Sequence, residues 1–260
     1  MSGAAAAGTE WWSTLYDDLL TEMLLERADE AELAATVSFL AERLELRPGA
    51  TVLDQCSGIG SVALPLAARG YRVIGVEQSE PYVARARRDA EARGLSCRFV
   101  AGDALAVGPG EPCDAGFNWW TSFGYTLDDR QNAEMLARAF EALVPGGRFV
   151  LDTLNLPGVL RGFREHVVTR RATSRGEVTL VRESRVDLGA GALLKRWTYF
   201  LPDGGRVEHD STVRLYLPHT LGELFRSVGF TSVELFGSIA GDPLGLDSPR
   251  CLVLARRPVR

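Results

Sequence analysis

The chain has 260 residues, of which 46% are hydrophobic, and a formal net charge of -5. This balance is typical of a globular protein with a sizeable core, and the absence of a basic stripe argues against DNA or RNA as a partner. The four cysteines form no C-x-x-C pair, so we expect no zinc site. No apolar run could span a membrane and the first residues do not resemble a signal peptide, so we expect a cytoplasmic protein.

The N-terminal part of the chain is predicted to be helical. Residues 1–10 are small and are expected to be disordered. Apolar residues then recur at helical spacing, first from Trp12 to Met23 and again from Leu33 to Leu44. The sequence Arg-Pro-Gly at 47–49 ends this helical segment.

From residue 50 onward, strands and helices alternate. The predicted strands are 51–54, 72–77, 97–101, 115–119 and 148–153, and the predicted helices are 59–69, 80–93 and 128–143. The Pro-Gly-Gly sequence at 145–147 is expected to stop the last of these helices. Strands separated by helices imply crossover connections and a parallel sheet with helices on both faces.

The alternation ends near residue 165. Between about 165 and 216 the sequence has three or four β-rich runs separated by glycine turns, which is typical of antiparallel hairpins. A capping box at Thr220 and Glu223 predicts a helix running to Val228, and strands follow at 232–236 and 251–255. We therefore predict one α/β domain over residues 11–260, with an antiparallel β insertion at about 165–216.

The first strand leads into a glycine-bearing turn in the sequence VLDQCSGIG. Gly58 and Gly60 permit a tight turn and the close approach of a ligand, and the amides at a helix start favour an anion. Glu77, at the end of the second strand, can accept both hydroxyls of a ribose. Gly58, Gly60 and Ala63 also satisfy the dinucleotide fingerprint, and an ordinary βα turn is a third reading.

Two acidic residues favour S-adenosylmethionine over a dinucleotide. Asp54, just before the turn, can take the ammonium of an amino-acid tail but would repel a pyrophosphate. Asp103, in the sequence AGDAL after the third strand, can accept a hydrogen bond from an adenine amino group. The helices that precede the first strand also differ from dinucleotide-binding domains, which often begin with that strand.

Over nearly its full length the sequence resembles the class I S-adenosylmethionine-dependent methyltransferases. VLDQCSGIG, GVEQSE, AGDAL and LVPGGRFVLDT are similar to motifs of that family, and LYDDLL is similar to its segment that folds over the cofactor. The resemblance implies a Rossmann-like sheet with a reversed last strand and S-adenosylmethionine as the cofactor. It implies cofactor contacts by Tyr16, Asp54, Gly58, Gly60, Glu77, Gln78, Asp103, Ala104 and Asn118. For the helix of Tyr16, packing through Leu15 and Leu19 is the alternative.

The loop FNWWTSFGY, after the fourth strand, is similar to that of small-molecule methyltransferases, including amino-sugar N-methyltransferases and natural-product enzymes. In open α/β sheets, ligands bind outside the carboxyl ends of the strands, where this loop lies. We therefore expect aromatic side chains here and on the insertion to bind the acceptor, although the loop aromatics could instead belong to the core. These predicted acceptor residues are Trp119, Trp120, Phe123, Trp197 and Tyr199.

Four residues are predicted to act in catalysis by orienting the acceptor or moving a proton: Tyr125, His209, Arg214 and Tyr216. The stretch from His209 to Phe230 resembles the segment after the insertion in the same enzymes. In strand geometry Arg214 and Tyr216 share a face, and Arg214 either binds an acidic acceptor or braces the insertion. Positioning is expected to supply most of the rate, with His209 at most an auxiliary base.

The other histidines are weaker candidates, and no metal-ligand cluster is visible in the sequence. His166 lies close enough to the insertion to reach the acceptor, whereas His219 is expected at the surface. The pattern therefore disfavours a metal-dependent O-methyltransferase.

Two other functions stay open beside methyl transfer to a small molecule of specialised metabolism. An NAD(P)-dependent oxidoreductase would need a Tyr-x-x-x-Lys pair, but Gly191 stands four residues before Lys195, the only lysine. A non-catalytic S-adenosylmethionine-binding protein is the other alternative. The sequence identifies neither the acceptor, nor the methylated atom, nor the oligomeric state.

Overall fold

A computed structural model describes residues 10–26 and 29–259 of the chain. The predicted disorder of residues 1–10 falls almost wholly on residues 1–9, which lie outside the described part. In chain order the elements are α1 (Trp12–Leu15), α2 (Asp18–Leu20), a π-helical turn (Thr21–Leu25), α3 (Glu30–Arg43), β1 (Thr51–Gln55), α4 (Ala63–Ala68), β2 (Arg72–Glu77), α5 (Glu80–Ala92), β3 (Cys97–Ala101), β4 (Cys113–Asn118), α6 (Asp129–Ala142), β5 (Leu143–Leu154), α7 (Leu156–Arg161), β6 (His166–Thr173), β7 (Gly176–Asp187), β8 (Ala192–Phe200), β9 (Arg206–Arg214), α8 (Pro218–Val228), β10 (Thr231–Phe236) and β11 (Arg250–Arg256).

The chain divides into two compact units, and the larger one contains a seven-stranded sheet. Its strand order is β10-β11-β5-β4-β1-β2-β3. The strands from β5 to β3 pair in parallel, whereas β11 runs antiparallel to β5 and β10 runs antiparallel to β11. The predicted α/β class with a reversed strand is therefore confirmed. This unit comprises residues 29–123, 128–161 and 216–259.

The strand order of the larger unit fixes where a ligand can bind. From β1 the chain steps to β2 on one side, and β4 lies on the other side. Such a reversal opens a crevice at the carboxyl ends of the strands, which is where open α/β sheets bind ligands. Apolar strand residues such as Val52 and Val73 have no exposed surface and form the core between the sheet and its helices.

The smaller unit contains a four-stranded antiparallel sheet in the order β6-β7-β8-β9. Along β6 the residues alternate between exposed and partly buried, as expected for a sheet with one solvated face. Within this unit α1 packs against β9 and the π-helical turn packs against β6. The predicted antiparallel segment is confirmed, and the assignment of residues 11–260 to one domain stays a prediction. This unit comprises residues 10–26, 124–127 and 162–215.

Most predicted element bounds agree with the structure, but the two glycine-rich segments differ. Helix α4 begins at Ala63 rather than at residue 59, because Gly58 and Gly60 have positive φ angles that interrupt a helix. Strand β5 begins at Leu143, so the Pro-Gly-Gly sequence lies inside the strand instead of before it. A register shift between β4 and β5 and the φ of +84° at Gly146 accommodate these residues.

Two helix starts also differ from the prediction. The first helix is broken at Tyr16, and Asp17 caps the next turn by accepting the backbone N–H of Leu20 at 2.9 Å. Helix α8 begins at Pro218, so the predicted capping box at Thr220 is wrong: its hydroxyl donates to the Leu217 carbonyl instead. Proline favours the first helical position because its φ is already helical and it has no N–H to satisfy.

No helix in the described ranges has the length and apolar character needed to cross a membrane.

Candidate active site

The turn after β1 is shaped by residues in the left-handed region of φ. Cys56 has a φ of +64°, Gly58 of +55° and Gly60 of +81°. A Cβ added at Gly58 would meet no atom within 4 Å, so the backbone there is open to a ligand. At Gly60 a Cβ would lie 3.1 Å from the ring of Phe99, so this glycine is also required by packing.

Glu77, the last residue of β2, holds the turn through its carboxylate. Oε2 accepts the backbone N–H of Gly58 at 2.9 Å, and Oε1 accepts the backbone N–H of Ser79 at 2.9 Å. Burial raises the pKa of the Glu77 carboxyl, and these backbone hydrogen bonds oppose that rise only in part. Because a carboxylate can accept about four hydrogen bonds, Glu77 can keep both amides and still accept ligand hydroxyls.

Asp54 lies beside it in β1, with only 3% of its surface exposed. Among residues 10–26 and 29–259, none forms a hydrogen bond with its carboxylate. Burial, and secondarily the charge of Glu77, raises the pKa of Asp54 well above its ordinary value. Burying a carboxylate in this way is costly, and a cation placed beside it reduces the cost. The end of β1 therefore favours a positively charged group.

The same negative field acts on Cys56. Burial raises the pKa of the Cys56 thiol well above its ordinary value, and the charges of Glu77, Asp54 and Asp103 raise it further. The thiol is therefore protonated at neutral pH and is a poor nucleophile. The carboxyl ends of β1, β2 and β3 thus place three acids around one turn.

The other residues predicted to contact the cofactor follow the neighbouring strand ends. Gln78 is exposed immediately after β2, and Ala104 is buried after β3. Asp103 is exposed, and its Oδ1 accepts the backbone N–H of Leu105 at 2.9 Å. Their contact with a cofactor stays a prediction, but they lie along the edge of the sheet that the motif implied.

Asn118, at the end of β4, is fully buried beside Gln55, a residue that the sequence analysis did not single out. Its Nδ2 donates to Oε1 of Gln55 at 3.3 Å, and Nε2 of Gln55 donates to the Met135 carbonyl at 3.0 Å. Gln55 therefore fixes which way the Asn118 amide points. Oδ1 of Asn118 is buried with no hydrogen-bond partner in the described part of the chain, so it can accept from a ligand.

The loop after β4 is held in an uncommon conformation by a second pair that was not predicted. Trp120 and Thr121 have φ angles of +58° and +64°, which cost free energy in residues with a Cβ. Oδ2 of Asp152 accepts the Trp120 backbone N–H at 3.1 Å, and Arg250 donates both to Asp152 and to the Thr121 hydroxyl. The antiparallel register of β11 on β5 places Arg250 two residues from the partner of Asp152, and no local pattern in the sequence indicates this pair.

The aromatic residues of this loop differ in their surroundings. Trp119 is packed in the core with its ring centroid 6.1 Å from that of Phe39, and Phe123 has no exposed surface. The core alternative therefore describes these two side chains, whereas Trp120 is only partly buried. A role for Trp119, Trp120 and Phe123 toward an acceptor stays a prediction.

Tyr216 and Arg214 do not lie on one strand, because β9 ends at Arg214. In the larger unit, the Tyr216 hydroxyl donates to Asp129 at 2.6 Å and accepts from Asn132 at 2.9 Å. In the smaller unit, the Arg214 guanidinium donates to the Ala190 carbonyl at the β7–β8 turn. The contact of Arg214 supports the bracing alternative, and the catalytic role of both residues stays a prediction.

Tyr125 belongs to an aromatic cluster in the smaller unit. Its ring centroid lies 4.7 Å from Trp11, 6.1 Å from Trp12 and 6.2 Å from Tyr16. The hydroxyls of Tyr16 and Tyr125 form a hydrogen bond. The structure thus brings together two predicted site residues that are 109 positions apart.

The remaining predicted residues lie on β8 and β9. Tyr199 has no exposed surface, and Nε1 of Trp197 donates to the Ser211 hydroxyl at 2.7 Å. The ring of His209 lies edge-on to Tyr199 at 6.2 Å, and its Nε2 is 3.7 Å from Oδ2 of Asp17. Substituting Trp197 or Tyr199 by alanine would mainly destabilise the fold, since removing a buried aromatic side chain lowers the free energy of unfolding by about 3–5 kcal/mol.

The weaker candidates lie at the surface. His166 and His219 are both exposed, as expected for His219. Among the described residues, no group of three His, Cys, Asp or Glu side chains could hold a metal ion.

Known proteins resemble this chain at both the sequence and the structural level. The family described as a methyltransferase domain matches residues 52–147. Demethylmenaquinone methyltransferase of Thermus thermophilus is 38% identical over 139 residues, which are 52% of this chain and 59% of that enzyme. The match therefore spans less than two thirds of that relative. Shorter stretches are similar to 23S rRNA (uracil(1939)-C(5))-methyltransferases.

Two solved structures share the fold along almost the whole chain. The CcbJ methyltransferase from Streptomyces caelestis superposes with a TM-score of 0.78 at 24% identity, covering 94% of this chain and 98% of that one. The sugar N-methyltransferase KedS8 from Streptoalloteichus has a TM-score of 0.73 at 20% identity, covering 99% and 96%. Residues 52–147 therefore match the methyltransferase-domain family, and the chain as a whole shares the fold of these two solved methyltransferases.

Proposed function

We propose that this protein transfers the methyl group of S-adenosylmethionine to a small-molecule acceptor. The observation that carries the proposal is the buried, unpartnered carboxylate of Asp54 beside the open turn at Gly58. S-adenosylmethionine supplies an activated methyl group on a positively charged sulfur, and its amino-acid tail carries an ammonium. A negative site of this kind fits such a cofactor and opposes the pyrophosphate of a dinucleotide.

The residues present can hold each part of this cofactor. Asp54 would take the ammonium, Glu77 the ribose hydroxyls and Asp103 the adenine amino group. The backbone at Gly58 provides the space, and the buried amide of Asn118 provides an acceptor near the end of β4. No cysteine nucleophile is required, because methyl transfer is a direct displacement that depends on positioning.

We assign acceptor recognition to the smaller unit and place the reaction in specialised metabolism. This unit contains the aromatic cluster around Tyr125 and the buried face of β8, which offer the mixed apolar and polar surface that small-molecule sites use. Two structures that share the fold are described as a sugar N-methyltransferase and an amino pentose methyltransferase. Their small acceptors support the same class of substrate here.

The proposal is tested in two steps. Calorimetry of the purified chain should show binding of S-adenosylmethionine and none of NAD, because the acidic turn disfavours a pyrophosphate. Incubation with labelled S-adenosylmethionine and either a bacterial small-molecule extract or total RNA should then label the small molecules alone. Binding of NAD, or label confined to RNA, would contradict the proposal, and cofactor binding without any transfer would indicate a non-catalytic binding protein.

His209 is expected to assist the reaction without being essential. General acid–base catalysis contributes about 10²-fold or more, so folded His209→Ala should lose about 10²-fold in kcat and retain measurable turnover. His219→Ala is the matched control, because this histidine is exposed. Complete inactivity of His209→Ala, restored by added imidazole, would instead make His209 an essential base and indicate a hydroxyl or carbon acceptor.

A further inference from the structure

Three side chains on neighbouring strands of the smaller unit form a row across one face of its sheet. Arg182 on β7 pairs with Trp197 on β8, and Trp197 pairs with His209 on β9. Residues directly opposite one another on antiparallel strands lie on the same face. Lys195 lies two residues before Trp197 and therefore also projects to this face.

Two cations of this face lie beside the indole of Trp197. The guanidinium carbon of Arg182 and Nζ of Lys195 each lie 5.6 Å from the ring centroid of Trp197. Cations at this distance are attracted to an aromatic ring. Trp197 is itself fixed by its hydrogen bond to Ser211, so the indole holds the cations in place.

Arg182 has no acidic partner among the residues that the structure describes. Its Nε is buried without a hydrogen-bond partner, and within residues 10–26 and 29–259 no hydrogen bond or ion pair reaches the rest of the guanidinium. Burial lowers the pKa of Arg182, in the direction expected for a cation withdrawn from water. Arg182 is partly buried, and an anion bound to its guanidinium would compensate for the water that this burial removes.

We propose that Arg182, together with Lys195, binds a carboxylate of the methyl acceptor. The planar guanidinium presents parallel N–H groups that match a carboxylate in a two-point contact. The proposal rests on the proposed methyl transfer and narrows its substrate class to organic acids. Arg214, which sequence reasoning considered for this role, donates instead to the Ala190 carbonyl.

The row also determines which way the acceptor points. Arg182 and His209 are two strands apart, a separation of about 9–10 Å between their backbones. An acid of this length that is held at Arg182 and lies across Trp197 would reach His209.

The site can be tested with a simple aromatic acid as the probe. We expect calorimetry to show that the wild-type chain binds 4-hydroxybenzoate at least about tenfold more tightly than the neutral 4-hydroxybenzamide, as removing an ionic partner implies. Arg182→Gln should abolish this difference, and Arg182→Lys should keep part of it. Arg170→Gln is the matched control, because Arg170 is exposed on the opposite face of the same sheet.

A spectroscopic readout separates this site from a general effect on folding. In a ¹H–¹⁵N spectrum of the arginine side chains, the Nε–H signal lost in Arg182→Gln should shift with 4-hydroxybenzoate and stay in place with the amide. Equal binding of acid and amide, no saturable binding of the acid, or tighter binding of inorganic phosphate would overturn the proposal. Because neither probe contains a methyl donor, these results are independent of whether S-adenosylmethionine binds.

Discussion

Replacing Glu77 by alanine should weaken S-adenosylmethionine binding about 10- to 100-fold, while the chain stays folded. The loss corresponds to about 1.5–3 kcal/mol, the usual contribution of a hydrogen bond to a charged group. Two effects combine here, because the same carboxylate that would accept the ribose hydroxyls also holds the Gly58 and Ser79 amides. Without it, the turn is less fixed before the cofactor arrives.

Calorimetry with S-adenosylmethionine measures this loss directly, and thermal unfolding shows whether the variant is folded. Glu80→Ala is the matched control, since Glu80 is exposed in the first turn of α5 and should leave the affinity unchanged. Glu77→Gln separates the two effects, because the amide oxygen can still accept one backbone N–H. If Glu77→Ala bound the cofactor as tightly as the wild type, the cofactor would lie elsewhere.

Gly60 illustrates why a substitution in the same turn is a poorer test. On the sequence alone, a valine at Gly60 would test whether a ligand lies against this glycine. The structure shows that its φ of +81° and the nearby ring of Phe99 disfavour any side chain, whether or not a ligand is present. Loss of binding in that variant would therefore not distinguish a ligand contact from a disturbed fold.

Local patterns were sufficient to predict the parallel strands of the sheet and the acids around the turn. Apolar runs separated by amphipathic helices indicated each parallel strand, and an acid at a strand end is brought to the carboxyl edge by the topology itself. Asp54, Glu77 and Asp103 could thus be placed together without any knowledge of long-range contacts. Their positions depend only on strand ends, which the sequence indicates well.

The contacts that support the site depend on register, and the sequence does not specify register by itself. Arg250 reaches Asp152 across 98 positions only because β11 runs antiparallel to β5 with a particular pairing. The same holds for the pairing of Arg182 with Trp197. A shift of one residue would place these side chains on the opposite face, so no local pattern could have indicated them.

The charge of Asp54 should strengthen cofactor binding and lower the stability of the ligand-free protein. In the unfolded chain its carboxyl has the ordinary pKa of about 3.9, whereas burial and the charge of Glu77 raise the pKa in the folded protein. Between these two values the folded state holds more protons than the unfolded state. The free energy of unfolding therefore falls as the pH rises through this interval, and above it the full penalty persists.

Asp54→Asn should therefore stabilise the ligand-free protein at neutral pH, by about 0.5–2 kcal/mol in the range of other stabilising substitutions at functional sites. The gain should vanish below the ordinary pKa of aspartate, because both proteins are then uncharged at this position. Denaturant unfolding at a series of pH values measures the difference, and Glu91→Gln, a substitution of an exposed residue of α5, is the control.

The same substitution should cost at least about 30-fold in affinity for S-adenosylmethionine, since removing one partner of a buried charge pair costs about 2 kcal/mol or more. The asparagine keeps the size of the side chain, so the loss reports on the missing charge rather than on packing. A variant that gained stability and kept full affinity would show that Asp54 is buried for another reason. One that lost both would indicate that the carboxylate has a structural partner, and the ammonium would then have to be bound by other residues of the turn.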